Sequence, residues 1–374
     1  MNLFRFISGS DLICPFCLEL NSRRKDTLLC LNQDCGKELP VLYKDPEKSM
    51  PPFPVQVFGW SQHGKTTYLA ALTMMLMKMR CLWESYTWLA VTDTSQGKVR
   101  EINIHERNGT VPRPTLMGSD DCYVMMLRKM EPWGDRAMLV RDCPGEIFKD
   151  MDVPLDHAPF LRRARTIFMF ISLPDLLDPK EGDQTFEGQT MEMLITNFLH
   201  TLKKHKLDLR GRRMILVLTK ADLIRDLPTG LRDYLLDDVL WTAASSQDPK
   251  SVLRDYLGSF GNSLASAFVK RYFEGMKEAD IAIRRWLERD HNAQNFIGLA
   301  EEYKVDLRLS LTSSTGGNVE PGSGLDQRWE PRRVLDPFFW ALELERQDTL
   351  RFRLGGMWSA AKAWGRSIRP PTAC

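Results

Sequence analysis

The sequence predicts an α/β core with an inserted helical layer, preceded by a small cysteine-rich module, and three observations carry that reading. Apolar runs at 55–58, 137–140, 166–171, 213–218 and 305–311 lead into loops bearing Gly, Asp, Ser or Thr, and helical stretches lie among them. Leu253, Leu257, Leu264, Phe268, Tyr272 and Met276 recur at helical intervals, followed by Ile283, Trp286 and Leu287, which predicts inserted helices at about 230–300. Four of the eight cysteines form two close pairs within the first 35 residues.

A chain of 374 residues is too long for one minimal domain and short for three, so one elaborated core plus an appendage is the economical arrangement. The boundaries read as a cysteine module at 1–45, a proline-rich linker at 46–54, a core at 55–345 and a basic, aromatic tail at 346–374. A net charge of +2 argues against nucleic acid or an anionic membrane as the partner of the whole molecule. No apolar stretch approaches a membrane span and the opening 1–7 is too short for a signal sequence, so a cytoplasmic protein is expected.

In the module, Cys14-Pro15-Phe16-Cys17 and the pair Cys30 and Cys35 offer four thiolates to one tetrahedral Zn²⁺, with Gly36 shaping the second turn. Residues 10–42 are too few to bury a core, so metal binding would supply the folding energy, typically about 10–16 kcal/mol for structural zinc. Four sulfur ligands leave no position for water, which makes the ion structural; the same set also suits iron. The knuckle pattern resembles a zinc ribbon, and that resemblance implies docking to protein or nucleic acid. Arg23, Arg24, Lys25 and Lys37 are offset by Asp11, Glu19, Asp26, Asp34 and Glu38, which favours protein docking or packing on the neighbouring domain. Pro46, Pro51, Pro52 and Pro54 then predict a stiff spacer.

Next comes Gly59-Trp60-Ser61-Gln62-His63-Gly64-Lys65-Thr66, which fits G-x-x-x-x-G-K-[ST] directly after an apolar run. Such a loop turns its N–H groups inward on two glycines, and the helix predicted over 67–79 adds its positive end. Lys65 would reach the β- and γ-phosphates and Thr66 would complete a Mg²⁺ shell, with Gly59, Gln62, His63, Gly64 and Thr67 as the other candidate phosphate contacts. The competing reading is a glycine-bounded turn before an ordinary core helix.

Asp142 ends an apolar run in Asp142-Cys143-Pro144-Gly145, where the acid would hold the Mg²⁺ shell through water and the Gly145 amide would meet the γ-phosphate. A further run delivers Thr219-Lys220-Ala221-Asp222. A carboxylate at Asp222 accepts from guanine N1–H and the exocyclic amine together, whereas adenine presents neither donor there; the Lys220 stem would lie along the base and Thr219 would tie the loop. The structural alternative is a capping Asp and a solvent-facing Lys. The small-residue loop at 312–317 offers Ser313 near the base oxygen, and a closing helix is expected to start close to Pro337.

This ordered set of motifs resembles the translation-factor-like and Ras-like (TRAFAC) class of P-loop GTPases, and with its zinc ribbon and Trp-rich ending the chain looks like the bacterial GTPases of defence and conflict systems. The resemblance implies a three-layer P-loop NTPase sandwich that binds GTP or GDP with Mg²⁺ and hydrolyses GTP to GDP and phosphate with an in-line water; a protein partner or effector is expected beside it. It carries Gly59, Gly64, Lys65 and Thr66 onto the phosphate motif, Asp142 and Gly145 onto the Mg²⁺ motif, Thr219, Lys220 and Asp222 onto the base motif, and Ser313 onto the last loop.

The chain departs from that class at Glu146, where many relatives have the glutamine that orients water. A carboxylate facing a triphosphate is unfavourable, so turnover would be slow, would use His63, or would need an arginine from a partner. His63 has the bland alternative of pointing to solvent. Thr110 and Thr115 are the candidates for the remaining Mg²⁺-sensing threonine, and Arg141 is expected to pair with an acidic neighbour. Two other readings stand beside the switch: a module that binds guanine nucleotide without hydrolysing it, and an ATPase whose Thr-Lys-x-Asp is accidental. In the tail, Arg351, Arg353, Lys362, Arg366 and Arg369 with Trp358 and Trp364 suit an acidic partner or a membrane surface, against the plainer reading of a frayed end.

Overall fold

The computed structural model describes residues 11–22, 29–44, 50–60, 62–112, 122–130, 134–144, 161, 164–177, 191–205, 207, 209–210, 212–258, 264–290, 294–316 and 329–342. The chain opens with β1 (Asp11–Ile13), β2 (Leu20–Ser22) and α1 (Val41–Lys44). The first half of the core follows as β3 (Pro52–Gly59), α2 (Lys65–Lys78), β4 (Thr87–Ala90), α3 (Asp93–Asn108), β5 (Cys122–Met130), β6 (Gly134–Pro144) and β7 (Thr166–Ser172). Then come α4 (Leu173–Leu177), α5 (Met191–Lys204) and β8 (Arg213–Thr219). The inserted helices are α6 (Thr229–Leu236), α7 (Val239–Ser245), α8 (Pro249–Leu257), α9 (Leu264–Asp290) and α10 (Gln294–Glu302), before β9 (Asp306–Leu311) and α11 (Leu335–Ala341).

Seven strands form one mixed sheet in the order β4-β5-β6-β3-β7-β8-β9. The β4-β5-β6 part is antiparallel, and from β6 through β3, β7 and β8 to β9 every neighbour is parallel. Alternation along the strands sorts side chains between two faces. Val55, Val57, Met138, Val140, Phe168, Phe170, Ile215 and Val217 face a cluster shared with α2, α7, α8, α11 and the first part of α9. On the opposite face, Phe58, Ile167, Met169, Met214, Leu216 and Leu309 pack on α5, α10 and the last part of α9. Helices on both faces make a sandwich.

The second face is not covered by helices alone. Over β5 and β6 the cysteine module takes their place: Leu12, Ile13, Leu18, Leu39 and Tyr43 join Val124, Met126, Ala137 and Leu139 in one buried cluster. Of the two roles expected for the module, packing on the core is the one observed.

The inserted helices pack inward. Helix α9 has 27 residues, about 40 Å at 1.5 Å per residue, and contributes Tyr272 to one sheet face and Ile283 to the other. Between them, Asp280 accepts from Leu309 N at 2.9 Å and from Arg308 at 3.2 Å, so the helix covers the outer strand β9. Tyr234 of α6 and Tyr272 of α9 donate to Asp336 of α11 at 2.5 and 2.6 Å, while Arg333 binds the Tyr234 and Asp237 carbonyls. Burial pushes the Asp336 carboxyl up to about 6 even with Arg333 nearby. Tyr68 of α2 donates to the Val334 carbonyl at 2.9 Å, which joins the same latch to the first core helix.

Two expectations are corrected here. The proline-rich linker does not run to 54, because Pro52 and Pro54 already lie in β3. Pairing with β7 begins only at Val55↔Thr166, so these residues neighbour β6 alone and their missing N–H groups cost the sheet nothing on the other side. Between α2 and β6 the chain also forms β4, α3 and β5, where sequence reading placed no elements. Helix α3 escapes a periodicity search because only Ser95 and Ile102 of its 16 residues are buried. The tail from 343 onward lies outside the described residues.

Candidate functional site

The carboxyl ends of β6, β3, β7, β8 and β9 meet at one edge of the sheet, where open α/β sheets bind ligands. The loop after β3 is set by its glycines. A Cβ on Gly59 would stand 2.7 Å from Phe170 Cβ, and Gly64 has φ 74° where it caps α2. No other residue type fits both positions without strain. Gln62 also has a positive φ of 65° and is exposed.

Lys65 begins α2 and turns back into the loop. Its ammonium donates to the Gly59 carbonyl at 3.0 Å and the Cys143 carbonyl at 3.4 Å and pairs with Asp142 Oδ1 at 3.1 Å. Asp142 is buried on the side of β6 that faces α2. Thr66 and Thr67 occupy the first turn of the helix. A cation, a buried acid, a hydroxyl and a loop bounded by two glycines that cannot be replaced without strain are therefore gathered within one turn of a helix N-terminus, a donor set that fits phosphate and a hard divalent cation.

His63 is not solvent-facing, which corrects the bland alternative for it. Its ring is buried; Nδ1 lies 3.3 Å from the Phe170 carbonyl and Nε2 lies 3.5 Å from Asp175 Oδ2. That places the imidazole behind the loop, against β7 and α4, where it anchors the loop. Asp175 carried no sequence signal, because its role appears only once α4 folds against the loop.

The loop after β8 joins the same site. The Thr219 hydroxyl donates to the His63 carbonyl at 2.8 Å, and a Cβ on Gly64 would lie 3.5 Å from Thr219. Lys220 adopts φ 56° and Asp222 sits half-buried in the short turn Ala221–Leu223. Asp222 makes no hydrogen bond or ion pair with a described residue, so a capping role is not seen for it. Ala221 N donates to the Thr312 carbonyl at 3.2 Å, which brings the loop after β9 alongside. Ser313 is buried; its amide and carbonyl pair with Arg332 and its hydroxyl accepts from Gly316 N at 3.0 Å. It shapes that loop, and its own polar groups are engaged in doing so.

Thr110 lies beyond α3, with its hydroxyl 2.7 Å from His105 Nδ1 and its carbonyl accepting from Trp329 Nε1 at 3.1 Å. Gly145, Glu146 and Thr115 lie outside the described residues. Arg141 donates to the Phe16 carbonyl in the cysteine module at 2.9 Å.

In the module, the sulfurs of Cys14, Cys17, Cys30 and Cys35 lie within 4.8 Å of one another, with 3.9 Å between Cys14 and Cys35 and 3.6 Å between Cys17 and Cys30. A tetrahedron with metal–sulfur arms of about 2.3 Å has edges of about 3.8 Å, so the four thiols fit one Zn²⁺. The Cys14 thiol bonding to Cys17 holds the latter down to about 5, and burial pushes Cys30 up to about 11. Cys17 is thus favoured as thiolate, whereas Cys14 and Cys30 are pushed toward the protonated form, so a metal would displace their protons on binding. No helix among the described residues is long and apolar enough to cross a membrane.

The family model Double-GTPase 2 matches residues 54–254, from the start of β3 to within α8. No curated protein matches the chain. Among solved structures, a crystal structure of Sup35 complexed with GMPPNP is similar at 10% identity and a TM-score of 0.26, covering 71% of this chain and 38% of that one. The family match spans more than half of the 374 residues, from the glycine-bounded loop through Asp142 to the Thr219 turn: the chain belongs to the Double-GTPase 2 family, whose character is GTPase-like.

Proposed function

We propose that the chain is a P-loop GTPase of the switch type: it binds GTP and GDP with Mg²⁺ at the carboxyl edge of the sheet, hydrolyses GTP slowly and reports its state to a protein partner. The observation that carries this reading is the hydrogen bond from Thr219 to His63, which brings a base-reading loop against a phosphate-reading loop. Family membership supports it.

In this reading the amides of residues 59–67 and the Lys65 ammonium hold phosphate oxygens, with Thr66 and Asp142 ordering the Mg²⁺ shell. When held there, Mg²⁺ would supply positive charge to offset that of the phosphates. Asp142 keeps Lys65 aimed across the loop, while Asp222 accepts two donors from guanine and the Lys220 stem covers the base face. The buried, tethered His63 ring argues against a base in that position and therefore for slow turnover. The same observation favours the second reading, a guanine-nucleotide module with negligible hydrolysis. Phosphate-release kinetics on GTP separate the two: steady release supports the switch, and a bound but unturned GTP supports the module. Asp222→Asn tests the base assignment, because it exchanges an acceptor for a donor; preference moves from guanine toward xanthine nucleotides, and an unchanged preference defeats the assignment.

A further inference from the structure

The cysteine module meets the sheet at the strand that carries Asp142. Arg141 donates to the Phe16 carbonyl at 2.9 Å, and the Cys122 thiol of β5 donates to the Pro15 carbonyl at 3.0 Å. Both acceptors belong to the turn between Cys14 and Cys17, whose Phe16 amide points back to Cys14 Sγ at 3.4 Å. These contacts bridge 125 and 107 residues, so chain proximity does not explain them.

The Arg141 main chain is held as well, since its carbonyl accepts from the Gln56 side chain of β3 at 3.0 Å. Alternation along β6 then turns the next residue to the other face, where Asp142 meets Lys65 at 3.1 Å. A displacement of the cysteine turn would be felt at Arg141 and, one peptide further, at Asp142.

We propose that Arg141 is a positioning residue that couples the four-cysteine centre to the nucleotide site, so that metal in the one raises affinity in the other. This rests on the reading that Lys65, Thr66 and Asp142 bind a Mg²⁺-nucleotide. The turn has too small a core of its own to keep its shape without metal. With the ion bound, the Pro15 and Phe16 carbonyls are fixed acceptors that brace β5 and β6; without it, these two acceptors are no longer held in place and the Asp142 end of β6 loosens. Coupling of this kind is reciprocal: the factor by which zinc tightens nucleotide is the factor by which nucleotide tightens zinc.

The test uses the full chain loaded with zinc. Bound zinc is titrated against a chromogenic chelator with and without Mg²⁺·GDP, and Mg²⁺·GDP affinity is measured by calorimetry on zinc-loaded and zinc-stripped protein and on Arg141→Met and Arg141→Lys. The expected result is equal factors in the two directions, within the range of about 5–150-fold seen for coupled sites. Arg141→Met should erase most of that factor and Arg141→Lys should restore part of it, with one zinc per chain retained. A module that merely stabilises the fold would leave zinc affinity indifferent to GDP. Should Arg141→Met fail to fold, Cys122→Ala removes the donor on the neighbouring strand and carries the same test. The coupling is overturned if wild-type protein binds GDP and zinc removal leaves that affinity unchanged, and the role of Arg141 is overturned if a folded Arg141→Met keeps the full factor. Failure of zinc-loaded wild type to bind GDP at all instead overturns the reading on which the coupling rests.

Discussion

The Thr219 hydroxyl donates to the main-chain carbonyl of His63 at 2.8 Å, so the loop after β8 is fastened to the loop after β3 by one side chain. The bond is buried, and the same hydroxyl also lies 3.2 Å from the Ile171 carbonyl of β7. Thr219→Val keeps the shape and removes the donor. Leaving a buried acceptor unpaired costs about 1–3 kcal/mol, so the variant should unfold at correspondingly lower denaturant and bind guanine nucleotide more weakly. Thr219→Ser should recover most of both losses. Equal stability of the valine variant would show that the bond contributes nothing.

The glycines of the same loop differ in what they forbid. Gly59→Ala puts a Cβ 2.7 Å from Phe170 Cβ and 3.3 Å from the Phe170 carbonyl, on a central strand that cannot move freely. Overpacking of this kind costs about 1–3 kcal/mol. Gly97, inside α3, has nothing within 4 Å of its Cβ position, and Gly97→Ala should stabilise the chain by up to about 1 kcal/mol. Thermal or urea unfolding of the pair decides it; a Gly59→Ala protein as stable as wild type would mean that β3 and β7 are less tightly apposed than the geometry requires.

Asp336 sets a pH dependence of its own. Burial raises its carboxyl from the usual 3.8 to about 6, so between those values the native chain keeps a proton that the unfolded chain gives up. Stability from this group is therefore fully present below about pH 4, is lost as pH rises through 6, and is flat above; the loss amounts to about 3 kcal/mol. Asp336→Asn abolishes the titration. Relative to wild type, the variant should gain stability on going from pH 4 to pH 7, as measured by urea unfolding at each pH. A difference that stays constant over that window would contradict the assignment.

The middle of the parallel half of the sheet is legible in the sequence because β7 and β8 are buried along their whole length and read as apolar runs, Thr166–Ser172 and Arg213–Thr219. The inserted helices are legible for the complementary reason: Phe268, Tyr272 and Met276 keep a helical interval on a face that must meet the core. Helix α3 and strand β4 are not, since their exposed faces leave no pattern; β4 leaves Thr87 and Leu89 exposed. At the site, Lys65, Asp142, Thr219 and Asp222 could be named because each sits at a fixed offset from a strand end. The tethers could not: Arg141 to Phe16 and His63 to Asp175 join residues far apart in the chain, and their partners follow from the placement of whole elements. The cysteine quartet was readable from spacing, whereas its seat over β5 and β6 was not.

In the proposed function the loop at 59–66 and the turn at 219–222 read one ligand, phosphate at one end and guanine at the other. Calorimetric titration of the full chain with GDP, GTP and ATP in the presence of Mg²⁺ tests it most directly. Both guanine nucleotides should bind and ATP should be weaker by about 100-fold or more, since a site built around two donors rejects a base lacking them. ATP binding as tight as GDP, or tighter, would contradict it.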